Sequence, residues 1–264
     1  MNTPGHPLIR LAAPAATLWL FYWVLLVHSA RSPDATSPGL SAAEFQRLLE
    51  QSRELLHAHQ YKGALDLVLR LHHADPGNQL HLFDLATIYG NLGRPEDEAR
   101  YWEMFFERAP LPIEACPQIG LAYQKQSKID EALHAFERCL ALDSTNADSL
   151  FFLAHALERK GDFTRAVDLY KRGLTIAPNY IDLRIGLARV ALRQGHSKEA
   201  RDMSLQVLQG SVDNVDALLV AGLASWRTGD RAAARAHLER GARIAPGDAD
   251  FQVALRDLAR EEHR

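Results

Sequence analysis

A 34-residue beat runs through this chain and decides what it can fold into. Ala64, Ala132, Ala166, Ala200 and Ala234 fall on one grid of that period. Gly161, Gly195 and Gly229 keep the same spacing. Pro76, Pro178 and Pro246 share one register, and Asn78, Asn146, Asn214 and Asp248 share another. A fixed period in this range is the mark of stacked repeats, in which each unit packs only on its neighbours. Such an array offers surface for partners, so binding is the expected function and an enzyme is not.

Composition removes other classes. The chain is 47% hydrophobic and 24% charged, which is foldable rather than disordered. Its net charge of −3 gives no bulk positive field of the kind nucleic acid demands. No phosphate-cradling glycine loop, nucleophile elbow, HExxH or paired-carboxylate signature occurs, and no cofactor is implied.

The N-terminus is a separate object. After a short tail, residues 1–10, no charged residue occurs from Leu11 to Ala30, and Leu18 to Val27 reads LWLFYWVLLV. Twenty uncharged residues are long enough for a helix to span a bilayer. A cleaved signal peptide is the competing reading, because the strongly apolar centre is short. Arg10 before the span favours a cytoplasmic N-terminus and an exported remainder, although Arg31 beyond it blunts the argument. The predicted location is therefore a single-pass membrane protein with its repeats on the extracytoplasmic side. Residues 31–43, rich in Pro, Ser and Gly, serve as a linker.

Within residues 147–180, Leu150, Leu153, Ala154 and Leu157 are spaced as one helical face, and Gly161 breaks that helix. Ala166, Tyr170 and Gly173 mark a second face, which Pro178 ends. Ile119, Gly120, Tyr123, Ala132 and Phe136 repeat the pattern one unit earlier. This pattern resembles the tetratricopeptide repeat family, built from 34-residue helix–turn–helix units. The resemblance implies an all-α, right-handed superhelical solenoid preceded by one transmembrane helix. It implies six units over residues 44–248: 45–78, 79–112, 113–146, 147–180, 181–214 and 215–248. Residues 249–264 supply a capping helix. The second unit departs from the grid, since Ala99 falls one residue late and suggests one extra residue in its turn. The fifth has Ala191 and Ser204 where the family prefers rings.

In that family the first helices line a concave groove that receives protein segments. By position, the resemblance assigns to the groove an apolar strip of Phe151, Ile185, Leu219 and Trp226. It adds a basic column of Lys125, Arg159, Arg193 and Arg227, with His155 and Arg189 between. A protein or peptide partner is implied, an acidic segment being one option. The cations also lie at helix C-termini, where they complement the helix dipole, so a purely structural role is open. Trp226 is an interface anchor or is buried under the capping helix. The family's clamp for chaperone tails needs Asn where this chain has His155, Arg189 and Leu223, and is set aside.

Other candidates for chemistry are few. Five histidines fall between His57 and His81, of which His72, His73 and His81 lie near one end of the first hairpin; no metal site is assigned. Cys116 and Cys139 share the third unit, where either a disulfide or two small buried side chains is open. The expectation is a membrane-anchored adaptor that helps assemble a membrane or envelope complex. The alternatives are an export chaperone for unfolded clients, as in cytochrome maturation or pilus assembly, and an accessory subunit of a membrane enzyme.

Overall fold

The computed structural model describes residues 40–109 and 115–262. Among them are thirteen helices and no strand. The proposed span at 11–30 lies outside the described residues, and no helix within them is long and apolar enough to cross a membrane. The chain divides into two compact units, one ending at Ser144 and one running from Thr145. The first holds α1 (Ala42–His57), α2 (Tyr61–Ala74), α3 (Gln79–Asn91), α4 (Pro95–Arg108), α5 (Ala115–Lys125) and α6 (Ile129–Leu142). The second holds α7 (Ala147–Lys160), α8 (Phe163–Ile176), α9 (Ile181–Arg193), α10 (Ser197–Gly210), α11 (Val215–Arg227), α12 (Arg231–Ile244) and α13 (Ala249–Glu262).

The period in the sequence is a period of helix ends. Asn78, Asn146 and Asn214 each precede a helix and accept a backbone N–H of its first turn, at 3.0, 2.8 and 2.8 Å. Asp248 does the same for Asp250 at 3.0 Å. These side chains satisfy donors that a helix start leaves orphaned. Between the helices of each pair the chain turns through one residue of positive φ, at Gly93, Gly161, Gly195 and Gly229. His59 and Ser127 hold the same grid position with φ of 55° and 61°. Those two were invisible as turn residues, because the sequence signal for this conformation is glycine.

The helix starts also correct one expectation. Tyr61, Pro95, Ile129, Phe163, Ser197 and Arg231 open the second helices, each 34 residues after the last. The second turn therefore has no extra residue. Its grid position is held by Glu98, which is buried beside Ala99. Lys125 Nζ donates to both Glu98 oxygens at 2.8 Å, and that ion pair is what lets a carboxylate occupy an alanine's place.

In the third and sixth pairs the hairpin closes by a large side chain entering space where a Cβ is missing. A methyl at Gly120 would stand 2.2 Å from the Phe136 ring, so the ring, rather than Ala132, fills the gap opposite this glycine. Ala132 and Phe136 are themselves fully buried. In the fifth pair, Ser204 is buried and donates to the Ala200 carbonyl at 2.9 Å, meeting its polar need within its own helix. At the end, Phe251, Ala254 and Leu258 of α13 close over Leu218, Ala234 and Leu238.

Packing in the first unit contains polar groups as well. His81 is buried, with Nδ1 3.4 Å from the Asp75 carbonyl, and burial lowers it to about 4. Asp84, on the same helix, is pushed up to about 7 by burial, against the weaker pull of Arg53. The folded state therefore holds an Asp84 proton that the unfolded chain releases above its ordinary 3.8. The favourable contribution is complete below that value and is lost as pH rises towards 7. Replacing Asp84 by Asn will stabilise the chain more at pH 8 than at pH 5 in urea unfolding, the two gains differing by about 2–3 kcal/mol. Ser127→Gly will stabilise the chain by about 1 kcal/mol in urea titration, because it removes a left-handed residue that carries a Cβ.

Candidate functional site

The residues assigned to the groove lie on the first helices of successive pairs. Lys125, in the 40–144 unit, is bound to Glu98 as described above. The remaining nine are in the unit that starts at Thr145, where α9 touches both α7 and α11, and α11 touches α13.

The apolar strip is graded along this unit. Phe151 and Ile185 are 3% and 2% exposed, so both are core residues rather than open anchors. Phe151 is covered by stacked rings, His155 at 6.0 Å and Tyr180 at 6.2 Å. Tyr180 shares the register of Asn78, Asn146, Asn214 and Asp248 but makes no cap bond, and instead donates its hydroxyl to Asp148. Ile185 packs with Val207 and Ala217. Leu219 and Trp226 are half-buried. The next residue in this register is Val253 of α13, which is 49% exposed. Sequence reasoning named the first three and missed Val253, although it stands 34 residues after Leu219.

Arg189 is a strut between helices. Its Nε and Nη2 donate to the two oxygens of Glu158 at 2.6 and 2.7 Å, and the Tyr170 hydroxyl donates to the same carboxylate at 3.0 Å. Glu158 is buried. Burial alone would raise its carboxyl, but the hydrogen bonds and charge of Arg189 outweigh this and hold it below the usual range. Tyr170 reaches Glu158 because Gly186 leaves room, where a Cβ would stand 2.4 Å from the ring. One carboxylate thus ties α7, α8 and α9 together. Burial and the nearby Arg189 lower His155 to about 4, so its imidazole is neutral at pH 7.

Much of the basic column is occupied. Arg193 lies 4.0 Å from Glu158, with its guanidinium over the Phe163 ring. Arg227 donates to the Leu192 carbonyl, and Arg159 is exposed. Trp226 is partly covered by α13, and its Nε1 donates to Glu261 at 2.8 Å. At the other ends of these helices Asp148, Asp182, Asp216 and Asp250 share one register. Burial, then the like charge of Asp216, raises the Asp182 carboxyl, and burial with Asp248 raises Asp216. The carboxylate partners of the basic column, Glu98 and Glu158, were not foreseen, because the charge pattern alone does not say which cations are already engaged.

The remaining candidates resolve simply. The sulfurs of Cys116 and Cys139 are not bonded to each other; both side chains are buried, and Cys139 Sγ donates to the Ala135 carbonyl at 3.3 Å. Burial pushes the Cys116 thiol up to about 11, as fits a packing residue rather than a nucleophile. His72 packs edge-on against Tyr101, and among the described residues no three His, Cys, Asp or Glu side chains converge on a point suited to a metal ion.

Comparison with known proteins agrees with this architecture. Residues 118–181 and 185–249 match a family model described as Tetratricopeptide repeat, and 157–209 match a second model of that description. Protein CTR9 homolog of Arabidopsis thaliana is 29% identical over 170 residues, covering 59% of this chain and 15% of that protein. Cellulose synthase operon protein C of Pseudomonas fluorescens (strain SBW25) is 25% identical over 247 residues, covering 89% of this chain and 19% of that one. The chain thus spans less than a fifth of either relative. The crystal structure of PilW, a widely conserved type IV pilus biogenesis factor, superposes with a TM-score of 0.65 at 19% identity, covering 80% of this chain and 98% of PilW.

Arg189→Met leaves the Glu158 charge buried without its partner and will cost about 3–5 kcal/mol at neutral pH, read by urea unfolding. Adding Glu158→Gln will restore much of the loss. In the single variant burial, no longer opposed by Arg189, raises the Glu158 carboxyl, so the deficit will begin to shrink above the ordinary carboxylate range and go on shrinking towards acid pH.

Proposed function

Because this chain belongs to the tetratricopeptide repeat family, we propose that it is a non-catalytic docking scaffold tethered to a membrane through residues 11–30. Repeat arrays of this kind are suited to protein–protein interaction. The proposed location is the extracytoplasmic side, on the charge pattern about that span. One observation carries the docking reading. The groove register is filled with core side chains at Phe151 and Ile185 but opens at Leu219 and Val253, where apolar surface is left facing solvent. A segment laid there would bury those side chains beside Trp226, a ring of the type that anchors interfaces.

A second reading is favoured by the likeness to PilW and to cellulose synthase operon protein C: assistance to clients of an envelope assembly pathway. The two differ in selectivity. Cross-linking in native membranes, with the intact chain and a Leu219→Asp/Val253→Asp variant, separates them. A dedicated scaffold will yield one dominant cross-linked protein that the variant loses. Many weak clients mean a chaperone, and a dominant partner kept by both proteins moves the docking site elsewhere.

A further inference from the structure

The open end of the groove register is bordered by carboxylates. Asp216 and Asp250 stand at the N-terminal ends of α11 and α13, and Asp257 and Glu261 lie further along α13. Of the nearby cations, Arg227 donates to the Leu192 carbonyl and Arg260 lies 3.6 Å from Asp257, which leaves the exposed Arg256 against four carboxylates. Arg189 and Arg193 are turned to Glu158. Asp182, Asp216 and Asp250 form no ion pair among the described residues. Leu219, Leu223 and Val253 thus form an apolar strip with negative borders, although the sequence pointed to a basic column and an acidic partner.

We propose that this strip docks an amphipathic helix of a partner protein whose apolar stripe is flanked by lysine or arginine. This rests on the docking reading above and adds the chemistry of the occupant. Charge complementarity selects basic flanks, since an acidic segment would meet carboxylates on both sides while most of the nearby arginines are engaged. Spacing suits a helix. Packed neighbouring helices lie about 8–10 Å apart, and residues i and i+7 of a helix are separated by about 10.5 Å. One apolar stripe can therefore meet Leu219 and Val253 in succession, as helix-in-groove recognition requires. Burial is the larger cause that raises Asp182 and Asp216, and the smaller repulsion of Asp216 on Asp182 and of Asp248 on Asp216 is relieved by the arriving cations.

The test titrates the full chain, in neutral detergent, against two fluorescent 14-residue helical peptides, one Leu/Lys and one Leu/Glu with the same apolar pattern. Detergent alone supplies the blank for anisotropy. The Leu/Lys peptide will bind at least tenfold tighter than the Leu/Glu peptide. Asp216→Asn/Asp250→Asn will weaken it about tenfold with folding intact by circular dichroism, and added salt will do the same. Equal binding of both peptides, or no response to the Asn changes while Leu219→Ser/Val253→Ser still weakens binding, overturns the basic partner and leaves the docking face standing. Binding that ignores Leu219→Ser/Val253→Ser as well overturns the docking face itself.

Discussion

The fold depends on one repeated constraint: a bulky side chain must enter the space left by a small residue on the helix beside it. Phe136 sits where Gly120 has no Cβ, Tyr170 where Gly186 has none, Leu238 at Gly222 and Phe251 at Gly241. Two of these contacts close a hairpin and two join one hairpin to the next helix. Adding a methyl at any of them places it under 3 Å from a ring or branched side chain, and neighbouring helices would have to part. Helix length, turn position and cap position then have to repeat, since each large residue must arrive opposite its own gap. The 34-residue period is the sequence image of that requirement.

The same constraint explains how much of the fold was legible in the sequence. Alanine, glycine and asparagine hold their places for steric and capping reasons that act within a few residues, so their positions betray the helices directly. Side chains that break the pattern betray less. Ala99 suggested a lengthened turn, when in fact Glu98 had taken the alanine position with Lys125 to neutralise it. Glu158 and Arg189 lie 31 residues apart in the sequence, in two helices of separate pairs, and nothing local announces that they share hydrogen bonds. Arg189 therefore looked like a groove cation. His59 and Ser127 show the reverse case, in which the repeat dictates a left-handed backbone and the residue complies at some cost.

The candidate site was legible as a register but not as a surface. Position alone placed Phe151, Ile185 and Leu219 in one line, yet burial along that line depends on which side chains the following elements bring across it. Phe151 is covered because Tyr180 of the loop before α9 folds back over it. That loop position is Asn214 before α11 and Asp248 before α13, and both cap the helix instead of bringing a ring across. Tyr180 thus covers Phe151, whereas Ile185, followed by Asn214, is buried against Val207 and Ala217, and Leu219, followed by Asp248, stays half-buried.

The same logic distributes charge. An ion pair between neighbouring first helices, as between Arg189 and Glu158, needs a buried acid on the preceding helix to receive the cation. The preceding helix offers such an acid at Glu158, but the residue one period later is Leu192, which has only its backbone carbonyl to give Arg227. Arg227 is therefore held by a weaker acceptor, while the aspartates at the helix starts recur unchanged as far as Asp250. Towards α13 the array exposes apolar side chains and unpaired carboxylates together. A surface with both properties discriminates by charge and binds by burial, and the docking proposed for this unit is therefore assigned to α11 and α13.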